Sequence, residues 1–529
     1  MADNVESGVL KEYEKLKNLF QDYTQINNTI SILHNDQQIS MSPGSAPDRA
    51  EQMGALSKIA HRLINAPEIK DLLEKVEAAP SESFSKEDQR NIKLMRKIVA
   101  EQNISEDLST AISNICNEGW EKHTKLRDAG DWSQMKDWIQ HSVDTMREVG
   151  RDKKERLGFA SAYEALLDTF NTGMKAGHVA QELGKMEKSL PGLIREAAQK
   201  QKEEKPPVAF SGTFPKEQQE ELCRRVLEAM GFDFNRGRLD FISGHPSSGG
   251  TSDDTRLTTF YDEKNFFKAL IAAIHEGGHG IYNQTLPREW RYQPAGEPLG
   301  MDLHESQSRI MEVQAAMTPE FFEYLEIQAR DIFNRPDDPA LSAENMRKLR
   351  QTVAPSFIRV YADEITYSAH IILRHKLESA LIEGTLTAED LPQAWNDGMK
   401  NLLGITPPDH SQGCMQDVHW PSGAIGYFPA YTLGDMGAAQ FFAAACKDRP
   451  EIRSELKTGN FKPLQEWLEE NVHSKGSLLT TEEIFVQATG KKLGADDYLN
   501  HLSERYLGKP YTAPVSAPIL PQQKTPEIN

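Results

Sequence analysis

The 529-residue chain is short of cysteine: Cys116, Cys223, Cys414 and Cys446 lie far apart, with no CxxC pair among them. This excludes a disulfide framework and a thiolate zinc knuckle, and the four are read as buried thiols. Long hydrophobic runs are also missing. The start, "MADNVESGVLKEYEKLKNLF", lacks the basic region and continuous apolar stretch of a secretory signal, so a cytoplasmic location with no membrane partner is expected. Positive charge is scarce, since 60 Lys and Arg stand against 79 Asp and Glu for a net charge of −19. Such a surface repels phosphate backbones and anionic lipid heads, and no local basic patch is visible to override it, so nucleic acid is not an expected partner. The same excess of acid favours basic peptides through long-range steering. No fixed-period repeat suggests a solenoid.

What is present is a soluble, globular composition, 38% hydrophobic and 26% charged, long enough for two to four domains. From Leu10, the apolar residues Tyr13, Leu16, Phe20, Tyr23, Ile26, Ile30 and Leu33 recur at three and four residues and predict an amphipathic helix ending at "SMSPGSAPD". A second helical stretch follows, "RAEQMGALSKIAHRLINAPEIKDLLEKVEAA", able to fold back on the first as a hairpin, either as a flap or as ordinary core. Helical patterns continue to "KEEKPPVAF", the best boundary, which divides an N-terminal helical region (1–205) from a catalytic region (206–510); a proline-rich tail (511–529) follows. The stretch "GRLDFISGHPSSGGTSDDTRLTTFY" holds the plausible short strands. The expected fold class is therefore mostly α.

In "AAIHEGGHGIY", His275 and His279 stand one helical turn apart on one face and can share a metal, while Glu276 points to a neighbouring direction where it can hold water. Zinc suits neutral imidazoles and keeps a catalytic position open. Glu305 in "LGMDLHESQSRIMEVQ" is the expected third ligand, completing a His2Glu set; cobalt or manganese could substitute. The adjacent His304 points elsewhere and could hydrogen-bond behind the ligands. Gly277 and Gly278 cost a helix about 1 kcal/mol each, which implies tight packing or a cleft floor at that face. These parts imply attack of water on a peptide carbonyl, with Glu276 taking the proton and passing it to the leaving amine.

The chain resembles the thermostable carboxypeptidase Taq type family of HExxH zinc metallocarboxypeptidases. The resemblance rests on "HEGGH" (275–279), "HESQ" (304–307), "DTRLT" (254–258), "IRVYAD" (358–363), "GCMQDVHW" (413–420) and "GYFPAYTLG" (426–434). It implies a helical, cleft-containing zinc-peptidase fold related to neurolysin and angiotensin-converting enzyme, a cytosolic homodimer, and removal of single residues from free peptide C-termini with broad preference. One departure stands out: where the family usually shows His-Pro-Phe, this chain has "HPSSGG" (245–250), so His245 and Pro246 carry over without the aromatic.

A carboxypeptidase must hold the substrate's terminal carboxylate, for which a guanidinium fork is best suited. Arg359 is the first choice, with Asp363 four residues on to orient it or a zinc-bound histidine. Arg256, beside Asp254, is the second, and His245 is a further substrate contact; the plainer reading of either Arg-Asp pair is a surface ion pair. The expected oxyanion donor is His419, a tyrosine (Tyr427 in preference to Tyr431), or both. Asp417 would fix a neighbouring imidazole or cap a helix, and Trp420 would line the cleft or the core. The nearest rival is an oligopeptidase cutting internal bonds with the same zinc chemistry, which would not need the carboxylate clamp. A metal-stabilised structural protein is less well matched, because structural zinc sites close all four positions, usually with thiolates.

Overall fold

The computed structural model describes residues 2–242 and 244–513, so most of the proline-rich tail (511–529) lies outside the described residues. The first helix runs Ala2–Ile39, and the three- and four-residue spacing puts Tyr13, Leu16 and Phe20 on its buried face. The second helical stretch is two helices, Ala46–Ile64 and Pro67–Glu77. Pro67 has no N–H to continue a helix, and it holds Ala66 extended (ψ 137°). Both pack back on the first helix.

With the helix Lys86–Glu101 they enclose a small apolar cluster that includes Tyr13, Phe20, Ile69, Leu73 and Met95. A second, much larger core takes its side chains from Leu126 through Tyr506. Residue 205 falls just after the helix Ala176–Glu203, and the larger core draws on both sides of it. All four cysteines are free thiols; Cys223 and Cys414 are buried as expected, but Cys116 is exposed and Cys446 half-buried. Among the described residues, no helix is long and apolar enough to cross a membrane.

Three short strands form one sheet in the order β1 (Gly237–Phe241), β3 (Asp254–Thr259), β2 (Ser248–Thr251), with β1 parallel and β2 antiparallel to β3. The central strand β3 lies against the helix Phe266–Gln284, which carries the HExxH motif; Thr259 Oγ1 donates to the Ala269 carbonyl at 2.9 Å. The first helix crosses the edge strand β2, where Ser31 Oγ accepts from the Gly250 N–H at 3.3 Å. The N-terminal layer is thus laid over the same edge of the molecule that holds the HExxH helix.

The glycines of that helix are explained by packing. A Cβ on Gly278 would lie 2.5 Å from the Gln307 carbonyl oxygen, and one on Gly277 would lie 2.3 Å from Leu227 Cδ2. Close helix contact, rather than a cleft floor, is the reason for both. The contact with Gln307 brings the helix Met301–Arg309, and so Glu305, up to the HExxH motif.

Candidate metal centre

His275, His279 and Glu305 offer ligand atoms that all lie within 4.8 Å of one another. Glu305 Oε2 stands 3.3 Å from His279 Nε2 and 3.7 Å from His275 Nε2. Its position depends on a third helix, Pro429–Asp448, where a Cβ on Gly434 would come within 2.5 Å of Glu305 Cγ. Gly434, at the end of "GYFPAYTLG", lets that helix close on the carboxylate.

The far nitrogen of each imidazole is already engaged. His275 Nδ1 donates to Glu312 Oε2 at 3.0 Å. His304 Nε2 donates to Asn283 Oδ1 at 3.1 Å, so its Nδ1 carries a lone pair and accepts from His279 Nδ1 at 2.6 Å. When the rings are neutral these partners leave both Nε2 atoms bare and facing Glu305, the tautomer a metal requires. Two neutral imidazoles, one carboxylate and an open side form the donor set of a catalytic zinc site, and the residues fit that ion.

Burial disfavours charge on His275, yet the facing Glu305 and Glu312 carboxylates overcome it and raise its pKa to about 9. Burial likewise opposes charge on Glu305, but the two imidazoles bring its carboxyl down to about 2. Both shifts favour a proton on His275 while no metal is bound, and metal binding must displace it. Glu276 is buried beside His275 and makes no side-chain hydrogen bond among the described residues, which leaves its carboxylate for water.

The family model for "Carboxypeptidase Taq (M32) metallopeptidase" matches residues 15–506. The chain belongs to this family. It is 32% identical to thermostable carboxypeptidase 1 of Thermus thermophilus over 484 residues, 89% of this chain and 93% of that protein. It is 31% identical to carboxypeptidase 1 of Bacillus subtilis over 502 residues, 94% of this chain and 97% of that one. Among solved structures, Trypanosoma cruzi metallocarboxypeptidase 1 superposes with a TM-score of 0.91 at 31% identity, covering 94% of this chain and 99% of the other. As a carboxypeptidase of this family, the protein is a zinc-dependent peptide hydrolase that removes C-terminal residues. The alternative of internal cleavage finds no support in these likenesses.

The M32 carboxypeptidase builds a second cluster around Arg359. Arg359 lies on a short turn, Arg359–Tyr361, whose first N–H donates to Gln416 Oε1 at 2.8 Å. Its Nη2 and Nε donate to Asp417 Oδ1 at 3.0 and 3.1 Å, and Nη1 donates to the Tyr367 hydroxyl at 3.0 Å. Arg374, fully buried, donates through Nε to Asp417 Oδ2 at 2.7 Å. Burial alone would raise the Asp417 carboxyl, but Arg374 and Arg359 hold it well below the usual carboxylate range.

Two expectations are corrected here. Asp363 orients neither Arg359 nor a histidine: it caps the helix Glu364–Glu383, accepting from the N–H groups of Thr366 (3.1 Å) and Ala354 (2.9 Å). Asp417 fixes two guanidiniums rather than an imidazole or a helix end. Four residues of spacing do not make a pair when the second residue is taken as the cap of the helix that starts at Glu364.

His419 stacks beside Phe428 at 4.4 Å between ring centres, with its Nε2 3.5 Å from the Tyr431 hydroxyl and its Nδ1 without a partner among the described residues. Burial, then the charge on Arg359, lowers its pKa to about 3, so it stays neutral. Tyr427 packs edge-on to Tyr431, and burial together with the Tyr431 and Glu305 oxygens raises its hydroxyl pKa. Trp420 is core, with its indole N–H donating to Glu378 at 3.0 Å.

Arg256 sits on β3 and pairs with its own neighbour Asp254 at 2.8 Å, half-buried and facing the first helix rather than the histidines. His245 is exposed, with its ring on the Pro246 carbonyl at 2.7 Å. Neither joins the metal or Arg359 cluster through a hydrogen bond or ion pair among the described residues.

Glu312 and Arg374 were not foreseen. Glu312 lies on a π-helical turn, Ile310–Ala315, and its carboxylate is held by Arg309 (2.6 Å) and Arg350 (2.8 Å) as well as His275. The signal for it was its position seven residues after Glu305, the same helical face. Arg374 carries no such signal, because a buried arginine reads as an ordinary exposed one until its partner is placed.

Proposed function

We propose that the M32 chemistry of this chain is divided between two walls facing the His275–His279–Glu305 cluster. His275, His279 and Glu305 hold the zinc, for which cobalt or manganese can substitute. Zinc supplies a Lewis acid that polarises the scissile carbonyl and lowers the pKa of water. Glu276 takes the proton from the attacking water and delivers it to the leaving amine. On the facing wall, Arg359 binds the substrate's terminal carboxylate, and His419 with Tyr427 donates to the developing oxyanion.

The observation that carries the assignment of Arg359 is the charge around Asp417. Two buried guanidiniums share one carboxylate, and the nearby His419 is neutral, so the guanidiniums bonded to Asp417 carry one more charge than it balances. A free peptide C-terminus neutralises it; an amidated one does not. This favours removal of single residues with broad preference, since the carboxylate rather than a side chain is what the wall reads. Arg256 and His245 are assigned supporting contacts along the substrate on the basis of the family motifs alone.

Every residue given a role lies within 206–510, the proposed catalytic region; the apolar cluster from Tyr13 to Val99 is separate, while the helices from Leu126 onward share the larger core. The mostly helical build, with HExxH on one helix and a distal glutamate on another, supports a cleft architecture of the neurolysin and angiotensin-converting enzyme kind. A cytoplasmic homodimer is proposed from the resemblance. The test is a mass-spectrometric time course on one peptide as free acid and as C-terminal amide, with the zinc-loaded enzyme and with Glu276→Gln. Stepwise shortening of the free acid only, lost in the variant, is expected; equal attack on the amide overturns the role of Arg359.

A further inference from the structure

One turn beyond His279, the HExxH helix borders a cavity of about 220 Å³ lined in part by Asn28, Arg236, Asp253, Asn283, Arg288 and Arg291. Three arginines converge there on one carboxylate. Arg236 donates to Asp253 at 2.8 Å and spends further donors on the Ser252 and Gln284 carbonyls at 2.9 Å each. Arg288 and Arg291 each reach Asp253 through one terminal nitrogen, at 3.1 and 2.5 Å, and their side chains remain 66% and 38% exposed. Most of their N–H donors are therefore unspent. Glu297 also lines the cavity, and even with its carboxylate ionised three guanidiniums face two carboxylates. In a chain of net charge −19 this is a local reversal of sign, assembled from residues 236, 288 and 291 that never form a basic run.

The position of the cavity fits the path of a peptide. His304, whose Nδ1 meets His279 at 2.6 Å, is part of its wall, whereas Tyr427 and Tyr431 near Glu305 belong to the wall of Arg359. The metal cluster thus stands between the two. A peptide whose terminal carboxylate rests on Arg359 and whose scissile bond lies at the metal would have its upstream residues on the cavity side of His279. The residues Gly250–Ser252, at the end of edge strand β2, form one side of it, and Asn28 of the first helix reaches in from the N-terminal layer. Tyr292, at the rim, is held at φ 68°, a left-handed conformation unusual for a tyrosine, and its carbonyl accepts from Thr24 Oγ1 at 3.2 Å. Strain of this kind persists where surrounding contacts fix it, and it is common at ligand sites.

We propose that this cavity is a substrate subsite for an acidic side chain of the peptide, upstream of the bond that is cut, read by Arg288 and Arg291 and anchored by Arg236 through Asp253. The proposal rests on Arg359 holding the C-terminus, but its failure is seen separately, because it is read only among peptides that all carry a free carboxylate. It also runs against the preference for basic peptides that overall charge suggests, since a short-range cluster outweighs a screened distant field.

The experiment uses the zinc-loaded enzyme and peptides of one length with identical last two residues, carrying Asp, Ala or Lys at each of the four preceding positions in turn. The Asp-to-Lys ratio of kcat/KM is expected to reach about tenfold at one or two positions at low ionic strength, as two partly exposed ion pairs allow, and to shrink in 0.5 M NaCl. The double variant Arg288→Glu/Arg291→Glu is expected to invert the ratio at those positions. A ratio within about twofold of unity at every position in the wild-type enzyme overturns the proposal, as does an acidic preference that survives the charge reversal.

Discussion

Two arginine clusters flank the metal centre, and they use the same parts to different ends. Around Asp417, Arg359 and Arg374 are buried, with side-chain exposures of 8% and 0%. Around Asp253, Arg288 and Arg291 stand in solvent. In both, guanidiniums outnumber the carboxylate they share. Burial decides what the surplus charge can do. In the first cluster, water is excluded and the geometry is fixed by Gln416 and Tyr367, so the charge demands a partner at one position. In the second, water and salt screen the charge, which can bias binding without dictating a pose.

The strongest way to break this contrast is Asp417→Asn, which leaves two buried guanidiniums without a counter-charge. A loss of about 3–5 kcal/mol of stability is expected, measured by urea unfolding. The same carboxylate gives a signed pH dependence in the wild-type protein. Because the folded pKa lies below the unfolded one, its contribution is fully present above about pH 4 and is lost as the pH falls further toward the depressed folded value. Unfolding curves that do not change below pH 4 would contradict the buried pairing.

Next in size is Arg359→Met, expected to lower kcat/KM on free-acid peptides about a hundredfold to a thousandfold, mainly through KM. A comparable fall on C-terminal amides would instead indicate damage to the metal centre.

Glu312 is the intermediate case, a buried carboxylate between Arg309 and Arg350 that also holds His275. Glu312→Gln should weaken zinc binding about 10- to 100-fold by competition with a chelator, without moving the Arg359 wall. The smallest effect is expected at Asp253: its change to Asn should cost less than about 1 kcal/mol in stability, because Arg288 and Arg291 are exposed and the less exposed Arg236 keeps the Ser252 and Gln284 carbonyls. A larger loss there would erase the distinction between the two clusters.

The readable parts of the site were those held within one helix or one short motif. His275, Glu276 and His279 follow from helical period alone, and Glu305 follows from the ligand count zinc requires and from the family segment around it. His304 stands behind the ligands, as its adjacency to Glu305 implies. The errors share one cause. Asp363 was paired with Arg359 by spacing along the chain, but the helix that starts at Glu364 uses it as a cap, and the true partner lies 58 residues on at Asp417.

The helices, the three strands and the ligand motif were determined by the sequence itself, because hydrophobic period, proline placement and ligand spacing act over a few residues. Which carboxylate meets which guanidinium, and where three scattered arginines gather beside Asp253, were decided only by the tertiary structure. Charge interactions take their strength from burial and distance, and neither exists until separate helices have packed.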